Sequence, residues 1–165
     1  GNLGRTAWTD VGVTSNFPIA ATYSYNLVQH EVGNDDNTTA STLPVEAYIT
    51  SSEFDIDDGD RFGFVWRILP DVTFRGSDAA SPSAVMTLLP LQNSGSGYNS
   101  PASLGGSDNG TITRTATVPI EQFTGQVNIR VRGRQMSIKM ASDGVGVQWQ
   151  MGSPRLDIRP DGRKS

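Results

Sequence analysis

The chain has 165 residues, 13 Lys and Arg against 17 Asp and Glu, and no cysteine. That length suits one domain with a core of its own, and the missing cysteines exclude a disulfide framework, a thiolate metal site and a thiol nucleophile. The formal charge of −4 hides an uneven distribution: residues 1–110 hold 4 basic and 13 acidic side chains, residues 111–165 hold 9 and 4.

Glycine (18 residues) and proline (9 residues) interrupt most windows of a dozen residues. Alternation with period two therefore dominates over the helical period. In chain order the spacing predicts strands over residues 7–13, 22–31, 45–56, 62–69, 72–75, 84–91, 111–118, 126–132, 135–141, 145–151 and 155–159. Turn chemistry separates them at Asn34-Asp35-Asp36-Asn37, Asp58-Gly59, Pro70-Asp71, Asp143-Gly144 and Gly152-Ser153-Pro154. Many short strands so spaced predict an all-β, antiparallel β-sandwich, jelly-roll-like or barrel-like, in one domain over residues 1–165. Residues 93–110, rich in Gly, Ser and Asn, read as a long loop at the charge boundary. The start at Gly1 reads as that of a fragment of a longer chain.

The last third is the most regular. Val127, Ile129 and Val131 share one face, with Asn128, Arg130 and Arg132 on the other. In Met136, Ile138 and Met140 the parity has flipped, which an undisturbed strand cannot do, so Gly133 marks a bulge or a turn. Val145, Val147, Trp149 and Met151 follow, then Leu156 and Ile158. The expected arrangement of these strands is an antiparallel meander.

Little of the remaining sequence carries chemistry. Asp55, Asp57, Asp58 and Asp60 are closely spaced carboxylates of the kind that suits Ca²⁺. Against the EF-hand loop, however, Gly59 arrives one place early and Trp66 stands where the bidentate glutamate belongs. An Asp-Gly turn with solvated carboxylates is the plainer reading, so no metal is expected. His30, the single histidine, reads as a structural hydrogen-bonder at a strand end rather than a general base. Ser96 lacks the strand–turn–helix context of a nucleophile elbow. No spacing singles out a glycosidase carboxylate pair, and no phosphate-binding loop exists. Neither catalysis, a cofactor nor a small-molecule substrate is expected. No apolar run is long enough to span a membrane as a helix.

Eleven of the 13 basic residues are arginine, and Arg130, Arg132 and Arg134 cluster near Lys139. Such a stripe can track phosphates. Arginine's planar fork, together with the charge split, points instead to a basic face meeting an acidic one, within the domain or between copies. Sequence-specific nucleic-acid binding is not expected. Trp8, Trp66 and Trp149 lie in strand-like segments, where core packing competes with a sugar-binding platform.

Several phrases occur together: Y-N-L-V-Q-H-E-V-G-N-D-D (from Tyr25), I-T-S-S-E-F-D-I-D-D-G (from Ile49) and R-I-L-P-D-V-T-F (from Arg67). V-R-G-R-Q-M-S-I-K-M, V-Q-W-Q-M-G and P-R-L-D-I-R-P-D-G-R follow between Val131 and Arg163. From about Tyr25 onward the chain resembles the C-terminal region of tail nozzle or tail-stabilisation (hub) structural proteins of short-tailed bacteriophages. The resemblance implies a virion protein of the tail, in a ring of commonly six copies around the DNA channel, contacting other tail proteins. Larger members carry a β-propeller before this region; no propeller repeat is visible here. Under this reading Arg130, Arg132, Arg134, Arg155, Arg159 and Arg163 are the assembly residues, set against Asp55, Asp57, Asp58 and Asp60. The other reading of the same pattern is a carbohydrate-binding or receptor- or fibre-docking β-sandwich, which would need exposed rings among Trp8, Trp66, Trp149 and Tyr98.

Overall fold

The computed structural model describes residues 4–10, 16–56, 59, 61–91 and 115–161. Among them there is no helix, and the protein is all-β. The strands are β1 (Arg5–Thr9), β2 (Ile19–Thr22), β3 (Leu27–Gln29), β4 (Asp35–Asp36), β5 (Leu43–Pro44), β6 (Ala47–Thr50), β7 (Phe54–Asp55) and β8 (Gly63–Leu69). After these come β9 (Val72–Thr73), β10 (Ser83–Leu91), β11 (Ala116–Glu121), β12 (Val127–Gly133), β13 (Gln135–Ser142), β14 (Gln150–Met151) and β15 (Arg155–Pro160).

Two antiparallel sheets build a sandwich-like body. One runs β11-β10-β13-β6, with β7 also on β13; the other runs β12-β8-β15. Alternation decides which side chains they share. Ala84, Met86 and Leu88 of β10 and Met136, Ile138 and Met140 of β13 point inward from the first sheet. Val65 and Ile68 of β8 and Ile129 and Val131 of β12 meet them from the second. Each such burial contributes roughly 1.5–3 kcal/mol relative to exposure, which makes this shared layer the main source of stability. The edge strands β11 and β15 contain Pro119 and Pro160.

β8 is irregular against both neighbours. Its register shifts between Asn128 and Val131 on β12, and between Asp157 and Ile158 on β15. The extra residue lets Val65 and Ile68 both point inward, while Trp66 and Arg67 between them stay half-buried. At the start of the strand Gly63 is required by space: a Cβ there would collide with Ile56, whose side chain is fully buried.

The expected C-terminal meander does not form. β12 pairs with β8, β13 with β10, β6 and β7, β14 with β9, and β15 with β8. Gly133 is the reason. The chain leaves one sheet there, Arg134 N–H donates to Leu91 C=O, and β13 starts in the opposite layer. The parity flip thus records a change of sheet. Two long predicted strands are also broken. Residues 22–31 turn at Tyr23 to Tyr25, with Tyr25 at φ 62°, and residues 45–56 split into β6 and β7. In the gap Ser51 replaces the ladder: its hydroxyl accepts from Ile138 N–H at 3.0 Å, and its carbonyl accepts from the Ser137 hydroxyl at 2.8 Å. Of residues 145–151, only Gln150 and Met151 are extended. The loop predicted at 93–110 lies outside the described residues.

The remaining strands form smaller sheets, β1-β2-β3, β4-β5 and β9-β14. In β1-β2-β3 the one buried apolar side chain is Ala20, and Trp8, Tyr23, Tyr25 and Leu27 are exposed.

Candidate interaction surface

The outward face of β12-β8-β15 concentrates the arginines. Register places Arg132 of β12 and Arg159 of β15 on either side of Phe64, and Asn128 and Asp157 on either side of Arg67. Arg130 projects outward from β12 at the irregularity opposite Trp66, and Arg155 pairs in register with Leu69 at the far end of β8. Arg67 is ion-paired with Asp157, and Arg132 with Asp161. Partly exposed pairs like these contribute about 0–1 kcal/mol each. Aromatic rings lie under the guanidinium groups. Arg67 and Arg159 stand 4.8 Å and 5.0 Å from the Trp66 ring centre, and Arg132 and Arg134 stand 4.1 Å and 5.0 Å from that of Phe62. Such cation–π contacts are worth about 0.5–1 kcal/mol apiece near a surface. A shallow open depression of about 580 Å³, lined by Phe64, Trp66, Asn128, Ile129 and Arg130, lies among them.

Five of the six arginines singled out in the sequence, Arg130, Arg132, Arg134, Arg155 and Arg159, therefore lie on or beside one sheet; Arg163 is outside the described residues. Among the described residues Arg130, Arg155 and Arg159 have no carboxylate partner, and the buried Arg134 Nε has no hydrogen-bond partner. Sequence reasoning missed Arg67, Phe62 and Phe64 as members of this face, and Asp157 and Asp161 as its internal counter-charges. The signal was present in the alternation Phe62, Phe64, Trp66 against buried Val65, but nothing local shows that β8 lies between β12 and β15.

The acidic candidates behave differently. Asp55 accepts from the Gln135 amide at 2.8 Å and lies against Gly59, which turns at φ 75°. Asp55 makes no ion pair with an arginine among the described residues. Asp57, Asp58 and Asp60 lie outside them. Among the described residues no three His, Asp or Glu side chains are placed to hold a metal, and no helix is long and apolar enough to cross a membrane.

Carboxylates gather instead around the turn at Gly146. Its N–H donates to Asp35 Oδ1 at 2.7 Å, and its carbonyl accepts from the N–H groups of Asp78 and Ala79. Gly146 has φ 71°, and a Cβ there would come within 2.9 Å of Ala79 N, so only glycine fits. The Asn34 amide bonds Asp78 Oδ2 at 2.9 Å, and exposed Asp143 precedes the same turn. Asp36, the residue after Asp35 in β4, has its carboxyl held below the usual aspartate range, chiefly by the Thr38 hydroxyl and amide and further by the charge of Arg5.

His30 Nε2 accepts from Arg5 Nε at 3.0 Å, and its ring lies 4.3 Å from that of Trp8. Trp149 is half-buried and donates its indole N–H to the Ser142 hydroxyl at 2.9 Å. Of the described tryptophans only Trp8, at 52 % exposure, is open to solvent, and Tyr98 lies outside the described residues. No protein-family model matches the chain, and no curated protein matches it.

Proposed function

We propose that the chain is a structural virion protein of a short-tailed phage tail, of the nozzle or hub type. It works without catalysis, through contacts between its own copies, six in a ring around the tail channel, and with other tail proteins. The sequence phrases between Tyr25 and Arg163 support the family. The observation that carries an assembly role is the outward face of β12-β8-β15, where Arg130, Arg155 and Arg159 are left without carboxylate partners in their own chain among the described residues. Guanidinium groups held over rings are already ordered, so pairing them with a neighbour's carboxylates costs little side-chain entropy. Electron microscopy of the assembled particle, with the chain labelled, is expected to find it in the tail. Mass photometry of the full-length protein is expected to show a defined multimer, and a strict monomer with no affinity for other tail proteins overturns the reading.

Exposed Trp8, Tyr23 and Tyr25 favour a second reading, a carbohydrate-binding or receptor- or fibre-docking module. Quenching of Trp8 fluorescence by host-surface polysaccharide, lost in Trp8→Ala, is its signature.

A further inference from the structure

We propose that the arginine face of β12-β8-β15 docks onto a second copy of this chain, at the acidic surface around Gly146, so that copies join head to tail. This inference rests on the assembly reading and names its two surfaces.

The occupant follows from charge. Arg67, Arg130, Arg132, Arg134, Arg155 and Arg159 share or border the face, and only Asp157 and Asp161 pair with arginines there among the described residues. Two such faces cannot meet each other, because like charges brought together in an interface cost several kcal/mol. A symmetric dimer through this face is therefore disfavoured, and its complement lies on a different surface. The Gly146 end is that complement: Asp35 and Asp78 are bonded to Gly146, and exposed Asp143 lies three residues before it.

The two surfaces do not neutralise each other within one chain. The row Arg132–Phe64–Arg159 lies at the start of β8, while the acidic loops follow beyond its other end at Leu69, where of the unpaired arginines only Arg155 stands. Five residues of strand separate the two ends, roughly 17 Å at 3.3 Å per residue. Among the described residues no ion pair joins them. A contact between two different patches repeats from copy to copy, closing as a ring or continuing as a filament. The depression among Phe64, Trp66 and Asn128 gives the contact an apolar centre, and the surrounding charges set its register.

The test uses two charge-reversed variants of the full chain, Arg130→Glu/Arg159→Glu and Asp78→Arg/Asp143→Arg, followed by mass photometry and sedimentation velocity at low ionic strength. Each variant alone is expected to self-associate at least about tenfold more weakly than wild type, a coupling of about 1.4 kcal/mol. An equimolar mixture is expected to co-assemble, since each variant then meets its opposite; that rescue also shows that both variants are folded. Raising the salt is expected to weaken wild type and mixture alike. If Asp78→Arg/Asp143→Arg assembles like wild type, or the mixture fails to assemble, the head-to-tail pairing is overturned while the assembly reading stands. If wild type is monomeric at every concentration, both fall. If Arg130→Glu/Arg159→Glu self-associates normally and loses only its retention of a single-stranded oligonucleotide, the face serves a polyanion and the pairing is overturned.

Discussion

β10 and β2 are both central strands with an antiparallel neighbour on each side. In β10 every second residue from Ala84 to Leu88 disappears from solvent, whereas in β2 only Ala20 does. Hydrogen-bonded pairing is common to both, so it does not explain the difference. β10 has a second layer beneath it, β12-β8-β15, and among the described residues β2 has none. Strand pairing satisfies the backbone, and apolar area leaves water only where layers stack. Stability in the described residues is accordingly concentrated where β11-β10-β13 stacks on β12-β8-β15, and the N-terminal sheet contributes little to it.

Four substitutions sharpen that contrast. Leu88→Ala, which empties a fully buried position, is expected to cost about 2–5 kcal/mol in urea unfolding; a loss below about 1 kcal/mol would mean that the two layers are not packed on each other. Gly63→Ala forces a methyl group against Ile56 and is expected to cost about 1–3 kcal/mol, read the same way. Asp36→Asn tests the border between the two regions through pH. Asp36 has a folded pKa below its unfolded value, so it stabilises the protein above the ordinary aspartate range, near pH 4, and that contribution disappears as pH falls through the folded pKa. Wild type is expected to exceed Asp36→Asn in urea midpoint at neutral pH, and the gap is expected to narrow under acid; a gap independent of pH would remove the carboxylate from the account. The smallest effect is expected at Leu27, 78 % exposed on β3, where Leu27→Ala is expected to change stability of the isolated chain by no more than about 0.5 kcal/mol. A larger loss would show that the N-terminal sheet has a layer after all.

The same division explains which parts of the fold could be read from the sequence. β8, β10, β12, β13 and β15 carry alternating patterns that a buried face imposes, and their predicted bounds lie within one or two residues of the structure. The break at Tyr25 has no glycine or proline to announce it; Thr22 holds the turn, its hydroxyl accepting from Asn26 N–H at 3.1 Å, its carbonyl accepting from Tyr25 N–H and its own N–H donating to Asn26 C=O. The break at Ser51 depends on a hydroxyl reaching Ile138, 87 residues away. Sheet partners were illegible for the same reason: the flip at Gly133 is local, but the layer to which β13 moves is set by β10. Arg130, Arg132 and Arg134 were visible as a stripe in the sequence. Their gathering with Arg67, Arg155 and Arg159 on one sheet, four of the six over Phe62 or Trp66, needed the order β12-β8-β15, which no single segment encodes.

Pro119 and Pro160 give the edges of both layers a further property. Neither residue has an N–H to offer, so a strand approaching β11 or β15 from outside meets a gap in the ladder it would have to complete. One edge of each layer is thereby protected against edge-to-edge pairing, the route to a continuous cross-β aggregate.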